Sequence, residues 1–178
     1  MKSRLMGSTL AIVGLGVLLG AQTPPAAPKP APEHKALTYF VGKWKGEGEM
    51  KPSPIGPGGK MTSLDTCEWF TGSFHVVCRG TGTSPMGKMT SLGVIAYNAG
   101  EKAYTFYGID SSGMGELSLG QKSGSTWTFT ATSNIGGQTI HSRYTITETS
   151  PTAYTFKWEA SQDKKTWMVV AEGKSTKV

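Results

Sequence analysis

The sequence predicts an all-β protein, an antiparallel up-and-down barrel of about ten strands preceded by a short helix. Apolar and polar residues alternate with period two in several segments, most clearly in residues 125–133 (STWTFTATS). Turn sequences rich in Gly, Asn, Asp, Ser and Pro recur at short intervals. No connection is long enough for a crossover helix, so neighbouring strands must pair antiparallel. Uniformly short hairpins favour a closed barrel over a sandwich.

The first 21 residues have the order of a secretory signal peptide. Lys2 and Arg4 precede an apolar run of about 15 residues, which is short for the ~20 residues that span a bilayer. We expect cleavage after Ala21, and an uncleaved membrane anchor is the alternative. Residues 22–32 hold five prolines and predict a stiff, extended linker. Residues 33–178 then form one domain, large enough for a hydrophobic core, of an exported periplasmic or secreted protein.

The charge distribution excludes one class of partner. The formal net charge is +6 for the whole chain and +4 once Lys2 and Arg4 are removed. The remaining lysines are scattered singly, without the basic stripe that nucleic-acid-binding proteins carry. We therefore expect a soluble protein with no nucleic-acid partner and at most a weak attraction for anions. No membrane span is predicted after the signal peptide.

The two cysteines, Cys67 and Cys78, predict a disulfide, since an even pair in an exported protein is typically oxidised. If Gly72-Ser73 is a two-residue turn, the flanking strands pair so that Cys67 faces Cys78. That register puts the cysteines in a hydrogen-bonded pair, where the backbones lie further apart. A bulge that shifts the pairing is the alternative. No Cys-x-x-Cys spacing indicates a redox role, so we expect a structural bridge.

The first strand, residues 41–50 (VGKWKGEGEM), combines three glycines with one tryptophan. In a barrel this strand must bend to close against the last strand, and Gly42, Gly46 and Gly48 permit the bend because they lack a Cβ atom. Trp44 then plugs one end of the barrel, and its alternative role is a ligand contact at the cavity floor. The preceding residues 33–40 predict the short helix.

The pattern Gly-x-Trp-x-Gly-x-Gly after a short helix resembles the opening of lipocalin-like (calycin) barrels and, more distantly, of the nitrobindins. Together with residues 67–80 and 91–116, it is similar to a bacterial, often exported family of domains of unknown function with this barrel. The matching positions of the third segment are Gly93, Tyr97, Asn98, Lys102, Tyr104, Asp110, Ser111 and Gly113. The resemblance implies the fold and carries no activity.

Two departures from the family pattern concern single positions. Asn98 stands where the family usually has an acid. The last strand lacks the arginine that packs on the tryptophan in lipocalins, and Lys174 is the expected substitute.

Aromatic residues on the strands are the candidates for lining a ligand cavity, because a barrel of eight or more strands has an interior that side chains fill or a ligand shares. These candidates are Trp69, Tyr97, Tyr104, Phe106, Trp127, Phe129, Tyr144, Phe156 and Trp158. The main functional prediction is a barrel that binds a small, mostly apolar molecule without catalysis. The alternatives are a filled interior and a secreted or envelope interaction module that presents residues 56–59 and 83–87 to a partner.

The nitrobindin resemblance implies a third function, haem binding through a histidine inside the barrel, with His141 as the candidate ligand. No other cofactor and no metal is predicted, since no His or Cys pair has a zinc-site spacing. Motifs for a nucleophile elbow, a metalloprotease or a phosphate loop are missing from the sequence. The acids Asp65, Glu68 and Asp110 would support acid–base chemistry only if one were buried. We therefore expect a binding protein rather than an enzyme.

Overall fold

The computed structural model describes residues 29–53 and 56–178. The predicted signal peptide and most of the Pro-rich linker lie outside the described residues. The predicted short helix is an α-helical turn, α1 (Pro32–Ala36), continued by a 3₁₀ turn (Leu37–Phe40). Pro32 starts the helix, where a missing backbone N–H costs no helical hydrogen bond. Within the described part of the chain, no helix is long and apolar enough to cross a membrane.

Ten antiparallel strands close into one barrel, which confirms the predicted fold class. The strands are β1 (Gly42–Met50), β2 (Gly59–Trp69), β3 (His75–Ser84), β4 (Gly87–Asn98), β5 (Ala103–Asp110), β6 (Gly115–Ser123), β7 (Thr126–Ile135), β8 (Gln138–Ser150), β9 (Ala153–Ser161) and β10 (Met168–Lys177). Each strand pairs with its sequence neighbours, and β1 pairs with β10 to complete the closure. The turn sequences recognised by composition lie just before β2 to β10, because each hairpin turn needs Gly, Asn, Asp or Pro chemistry.

The N-terminal segment closes one end of the barrel. Leu37 and Phe40 of the 3₁₀ turn are buried in the hydrophobic core. The Phe40 ring lies 4.9 Å from the ring of Trp127, centroid to centroid. The hydroxyl of Tyr39 donates a hydrogen bond of 2.8 Å to the carbonyl of Ala153 on β9. This helix-covered end is the closed end of the barrel.

Trp44 is part of this closed end. Its side chain is 2% exposed, and its ring lies 4.9 Å from the ring of Tyr154. The basic residue over the Trp44 ring is Lys177, whose Nζ lies 5.0 Å from the ring centroid. The expectation for Lys174 is wrong, because the β1–β10 register pairs Trp44 with Lys177 and places Lys174 opposite the exposed Glu47.

The three glycines of β1 have two different roles. Gly42 has φ +128°, a backbone conformation that side-chain-bearing residues rarely adopt. Gly46 and Gly48 do not have a positive φ angle, and they instead leave space for atoms of neighbouring strands. A Cβ atom on Gly48 would lie 2.9 Å from Cζ of Phe156, and one on Gly46 would lie 2.5 Å from Oγ of Ser63. The predicted need for backbone freedom therefore applies to Gly42, while Gly46 makes room for a side chain and Gly48 for both the Glu172 carbonyl and the Phe156 ring.

The disulfide between Cys67 and Cys78 joins β2 to β3 in the predicted register. The predicted hydrogen-bonded pairing is wrong, because the turn comprises four residues, 71–74, rather than two. Phe70 N–H donates to the His75 carbonyl at 2.8 Å, and alternation along the ladder makes the cysteines a non-hydrogen-bonded pair. Their Cα atoms are accordingly close, at 4.0 Å. The shorter spacing of this pair suits a bridge between directly opposed residues.

Strand β6 reverses the usual arrangement of apolar and polar faces. Leu117 and Leu119 are 60% and 53% exposed, and Tyr107 of β5, the partner of Leu117, is 49% exposed. On the opposite face of β6, Ser118 is buried and Glu116 hydrogen-bonds with serines of the interior. The barrel therefore has an apolar patch on its outer surface and polar groups inside.

Candidate functional site

The barrel interior contains a cavity of about 130 Å³ between β1, β2, β8, β9 and β10. Four aromatic side chains, one carboxyl group and two serine hydroxyls form most of its wall. The lining residues are Gly46, Met61, Ser63, Asp65, Tyr144, Tyr154, Phe156, Trp158, Ala171 and Ser175. A cavity of roughly 150 Å³ accepts a benzene-sized molecule. The space is therefore of a size for a small organic ligand.

Asp65 supplies the carboxyl group of this wall. It lies on β2 between Trp44 of β1 and Gly80 of β3 in the strand ladder. Burial raises the pKa of the Asp65 carboxyl, and a hydrogen bond of 2.8 Å donated by Ser63 Oγ partly opposes this rise. A Cβ atom on Gly80 would collide with a carboxyl oxygen of Asp65. The glycine at position 80 thus makes room for the acid inside the barrel.

The two tyrosines of the wall are half-buried, and Ser175 is buried. Burial raises the pKa of Tyr144 well above its ordinary value and raises that of Tyr154, so both phenols are neutral near pH 7. The rings of Tyr144 and Phe156 stack with their centroids 6.0 Å apart. Ser175 faces Tyr154 across the β9–β10 pair and is 2% exposed. Its hydroxyl makes no hydrogen bond of good geometry within the described part of the chain.

The predicted ligand-lining aromatics separate into two groups. Tyr144, Phe156 and Trp158 line the cavity. The other six do not line it and pack in or against the hydrophobic core cluster, which Tyr144 and Phe156 also contact: Trp69, Tyr97, Tyr104, Phe106, Trp127 and Phe129. Trp127, for example, is fully buried, and its Nε1 donates a hydrogen bond of 2.7 Å to Glu148. The interior is therefore filled in one part and open in another. The alternation along each strand does not show which inward aromatic residues belong to which part.

Sequence reasoning missed Tyr154 and Ser175 as wall residues. A signal for Tyr154 was present, because it precedes Phe156 by two positions in a strand and must share its face. Ser175 gives no such signal. It lies in the polar segment 172–177 (EGKSTK), where nothing in the residue types distinguishes an inward serine from an outward one.

His141, the candidate haem ligand, does not face the barrel interior. Its Nδ1 lies 2.9 Å from Oγ1 of Thr132 on the outer surface, while the next residue, Ser142, is buried and donates to Glu116 inside. A haem inside the barrel could not take His141 as its ligand, because successive strand residues point to opposite faces. In the described residues, no group of three His, Cys, Asp or Glu side chains could hold a metal ion.

The other acids considered from the sequence do not line the cavity. Glu68 is exposed on β2. Asp110 accepts a hydrogen bond of 2.8 Å from the N–H of Ser112 in the β5–β6 turn, and its bonds with the Ser112 side chain and backbone lower its pKa. A carboxylate not considered from the sequence, Glu116, accepts a hydrogen bond of 2.8 Å from Ser133 in the interior. Asp65 is thus the acid that the structure brings to the cavity wall.

Replacing Asp65 with asparagine is expected to stabilise the protein near neutral pH. The folded-state pKa of Asp65 is raised above its unfolded value, so its ionisation opposes folding. The wild type loses stability, relative to Asp65→Asn, as the pH rises from about 4 through the folded-state pKa. Urea unfolding of both proteins at pH 3.5 and pH 7 measures the difference. Glu68→Gln, on the exposed face of β2, is the matched control, and an Asp65→Asn protein no more stable than wild type at pH 7 would refute the prediction.

The chain resembles solved structures of barrel proteins. The crystal structure of Rv2717c from M. tuberculosis aligns with a TM-score of 0.58 and 12% sequence identity, covering 83% of this chain and 98% of that chain. The S-type phycobiliprotein lyase CPES from Guillardia theta aligns with a TM-score of 0.48 and 12% identity, covering 81% of this chain and 90% of that chain. At these identities the first likeness concerns the fold alone. No curated protein sequence matches the chain.

A protein family does match, over residues 29–177, which include the helix and all ten strands of the barrel. The family is described without a function, in agreement with the expected family of domains of unknown function. The turn residues that carried the resemblance have structural roles. Asn98 Oδ1, for example, accepts hydrogen bonds from the N–H groups of Gly100 and Glu101, as an acid there would. The chain belongs to the family described as Protein of unknown function (DUF1579).

Proposed function

We propose that the protein binds a small molecule inside its barrel, without transforming it. The observation that carries this proposal is the cavity of about 130 Å³ walled by aromatic rings. Close packing normally leaves few voids larger than a water molecule in a protein interior. A barrel that packs its closed end with buried tryptophans and leaves this space open supports a binding role.

The wall also indicates the chemical character of the ligand. Tyr144, Phe156 and Trp158 offer ring surface to an apolar body, as expected from the aromatic strands. Asp65 and Ser175 offer oxygen atoms to a polar group at one side. The ligand that fits this wall is mostly apolar and carries a polar end.

We further propose that the binding takes place outside the cytoplasm. The signal-peptide pattern of the first 21 residues supports export. The disulfide between Cys67 and Cys78 supports an oxidising compartment, since such bridges are rare where thiols are kept reduced.

Native mass spectrometry of the protein purified from its own host tests the binding role. We expect an added mass that is lost on denaturation, because unfolding removes the cavity that holds the ligand. Ala171→Leu fills the cavity from the wall and should abolish the added mass. Thr176→Leu is the matched control on the same strand, because Thr176 is exposed on the outer face and should leave the added mass unchanged.

Circular dichroism would verify that all three proteins are folded. A wild-type protein that is folded and carries no added mass would contradict the proposal and favour an interaction module. An added mass that persists in Ala171→Leu would place the ligand outside this cavity, and would equally contradict it.

A further inference from the structure

The Asp65 carboxyl has no cationic partner in the part of the chain that the structure describes. The ion pairs of residues 29–53 and 56–178 involve other acids: Glu47, Glu49, Glu148, Glu159 and Glu172. Among the described residues, the one hydrogen bond to the Asp65 carboxyl is donated by Ser63 Oγ. A carboxylate has acceptor sites for about four hydrogen bonds. Described protein groups therefore meet only a small part of the accepting capacity of Asp65.

Keeping such an acid inside the barrel costs stability. Asp65 is half-buried, and a charge that is partly withdrawn from water without a partner is disfavoured. The fold nevertheless accommodates it, because Gly80 leaves the space that the carboxyl group occupies. Groups that oppose folding in this way are concentrated at sites of function.

The groups around Asp65 suit a positive charge. Tyr144, Tyr154, Phe156 and Trp158 line the same cavity. The faces of aromatic rings carry partial negative charge and attract organic cations. The buried Ser175 hydroxyl lies beside the Tyr154 phenol without a hydrogen bond of good geometry among the described residues, and its oxygen can accept a hydrogen bond from a ligand.

An ammonium group is complementary to this set of acceptors. It has three N–H donors and a full positive charge, whereas a neutral alcohol has one donor and a carboxylate has none. An anionic ligand would in addition be repelled by Asp65. The cavity size limits the rest of the ligand to a compact apolar group.

We infer that the cavity binds a small organic ammonium ion, a primary amine with a compact apolar body, whose charge lies against Asp65. This inference rests on the proposed function, because it names the class of ligand for the same cavity. The aromatic wall would hold the apolar body, and Ser175 would accept a second hydrogen bond from the ammonium group.

Three probes of similar size and different charge test the inference: benzylammonium, benzyl alcohol and benzoate. Each is titrated at pH 7 into the isotope-labelled wild-type protein and followed by ¹H–¹⁵N NMR. We expect benzylammonium to bind about tenfold or more tightly than benzyl alcohol, since a hydrogen bond to a charged group exceeds a neutral one by that margin. Benzoate should bind most weakly. The shifted resonances should be those of residues around Asp65 and Tyr144.

Asp65→Asn should remove the preference for benzylammonium over benzyl alcohol. Glu68→Gln, an exposed acid on the same strand, should retain it and controls for a general effect of net charge. The comparison of probes on the wild type stands by itself, so the test does not depend on the folding of a variant.

Other outcomes would overturn the inference. Benzyl alcohol or benzoate binding as tightly as benzylammonium would show a cavity that binds small molecules without selecting a cation, and the proposed function would stand. If none of the three shifts the interior resonances, the inference fails, and the native mass measurement decides the proposed function separately. A preference that persists in Asp65→Asn would assign the selectivity to another group and would also refute it.

Discussion

Replacing Trp44 with alanine is expected to lower the free energy of unfolding by about 3–5 kcal/mol, the range for a large aromatic side chain removed from a core. Trp44 is 2% exposed, and its ring contacts the ring of Tyr154. Its Nε1 donates a hydrogen bond of 2.7 Å to the carbonyl of Phe40. The substitution therefore leaves both a void at the closed end and an unpaired buried carbonyl. Urea unfolding at pH 7 measures the loss.

Trp44→Phe separates the two contributions, because it keeps an aromatic ring and removes the N–H donor. We expect it to lose clearly less stability than Trp44→Ala. Trp167→Ala, in the β9–β10 loop, controls for the loss of a tryptophan that lies outside the core. A loss below about 1 kcal/mol in Trp44→Ala would show that the N-terminal segment closes the barrel without it.

Removing the disulfide is expected to lower the free energy of unfolding by about 3 kcal/mol. The bridge closes a loop with a sequence separation of 11 residues, and restricting the unfolded chain by a loop of this length contributes about that amount. Cys67→Ala combined with Cys78→Ala removes the bridge. Urea unfolding of this double variant and of the wild type, each with and without reductant, measures the effect.

Reductant should destabilise the wild type toward the level of the double variant and leave the double variant unchanged. This control separates the effect of the bridge from that of the two thiol side chains. An equal stability of the wild type in the presence and absence of reductant would contradict the prediction, provided that mass measurement shows the bridge to be reduced.

Most of the fold could be predicted because its determinants are local. Period-two alternation identifies a strand such as β7 from its own residues, and turn chemistry marks where each hairpin reverses. Short turns between all strands permit only antiparallel neighbours, and closure follows from removing the free edges. The register that places Cys67 opposite Cys78 followed from the same local reasoning. Whether the two residues form a hydrogen-bonded or a non-hydrogen-bonded pair did not. The type of pair depends on the length of the turn at residues 71–74, which the residue types do not reveal.

The candidate site was only partly predictable, because it depends on which inward residues meet across the barrel. Phe106 fills the space left by two glycines on neighbouring strands, where Cβ atoms on Gly93 and Gly108 would lie 2.7 Å and 3.0 Å from its ring. By contrast, the atoms nearest to a Cβ on Gly46 would be those of Ser63 and Ser175, and this side of the interior includes the cavity.

The sequence by itself determined the strands, their order around the barrel and the bridge between β2 and β3, because these follow from local alternation and from turns between chain neighbours. Only the tertiary structure decided where the interior is filled and where it is open. Glycines alone do not set this division, because Gly93 and Gly108 face the packed ring of Phe106 while Gly48 faces Phe156 of the cavity wall. The inward position of Asp65, Glu116 and Ser175 was decided in the same way, since the residue types of a strand do not state which of its two faces the closed sheet turns inward.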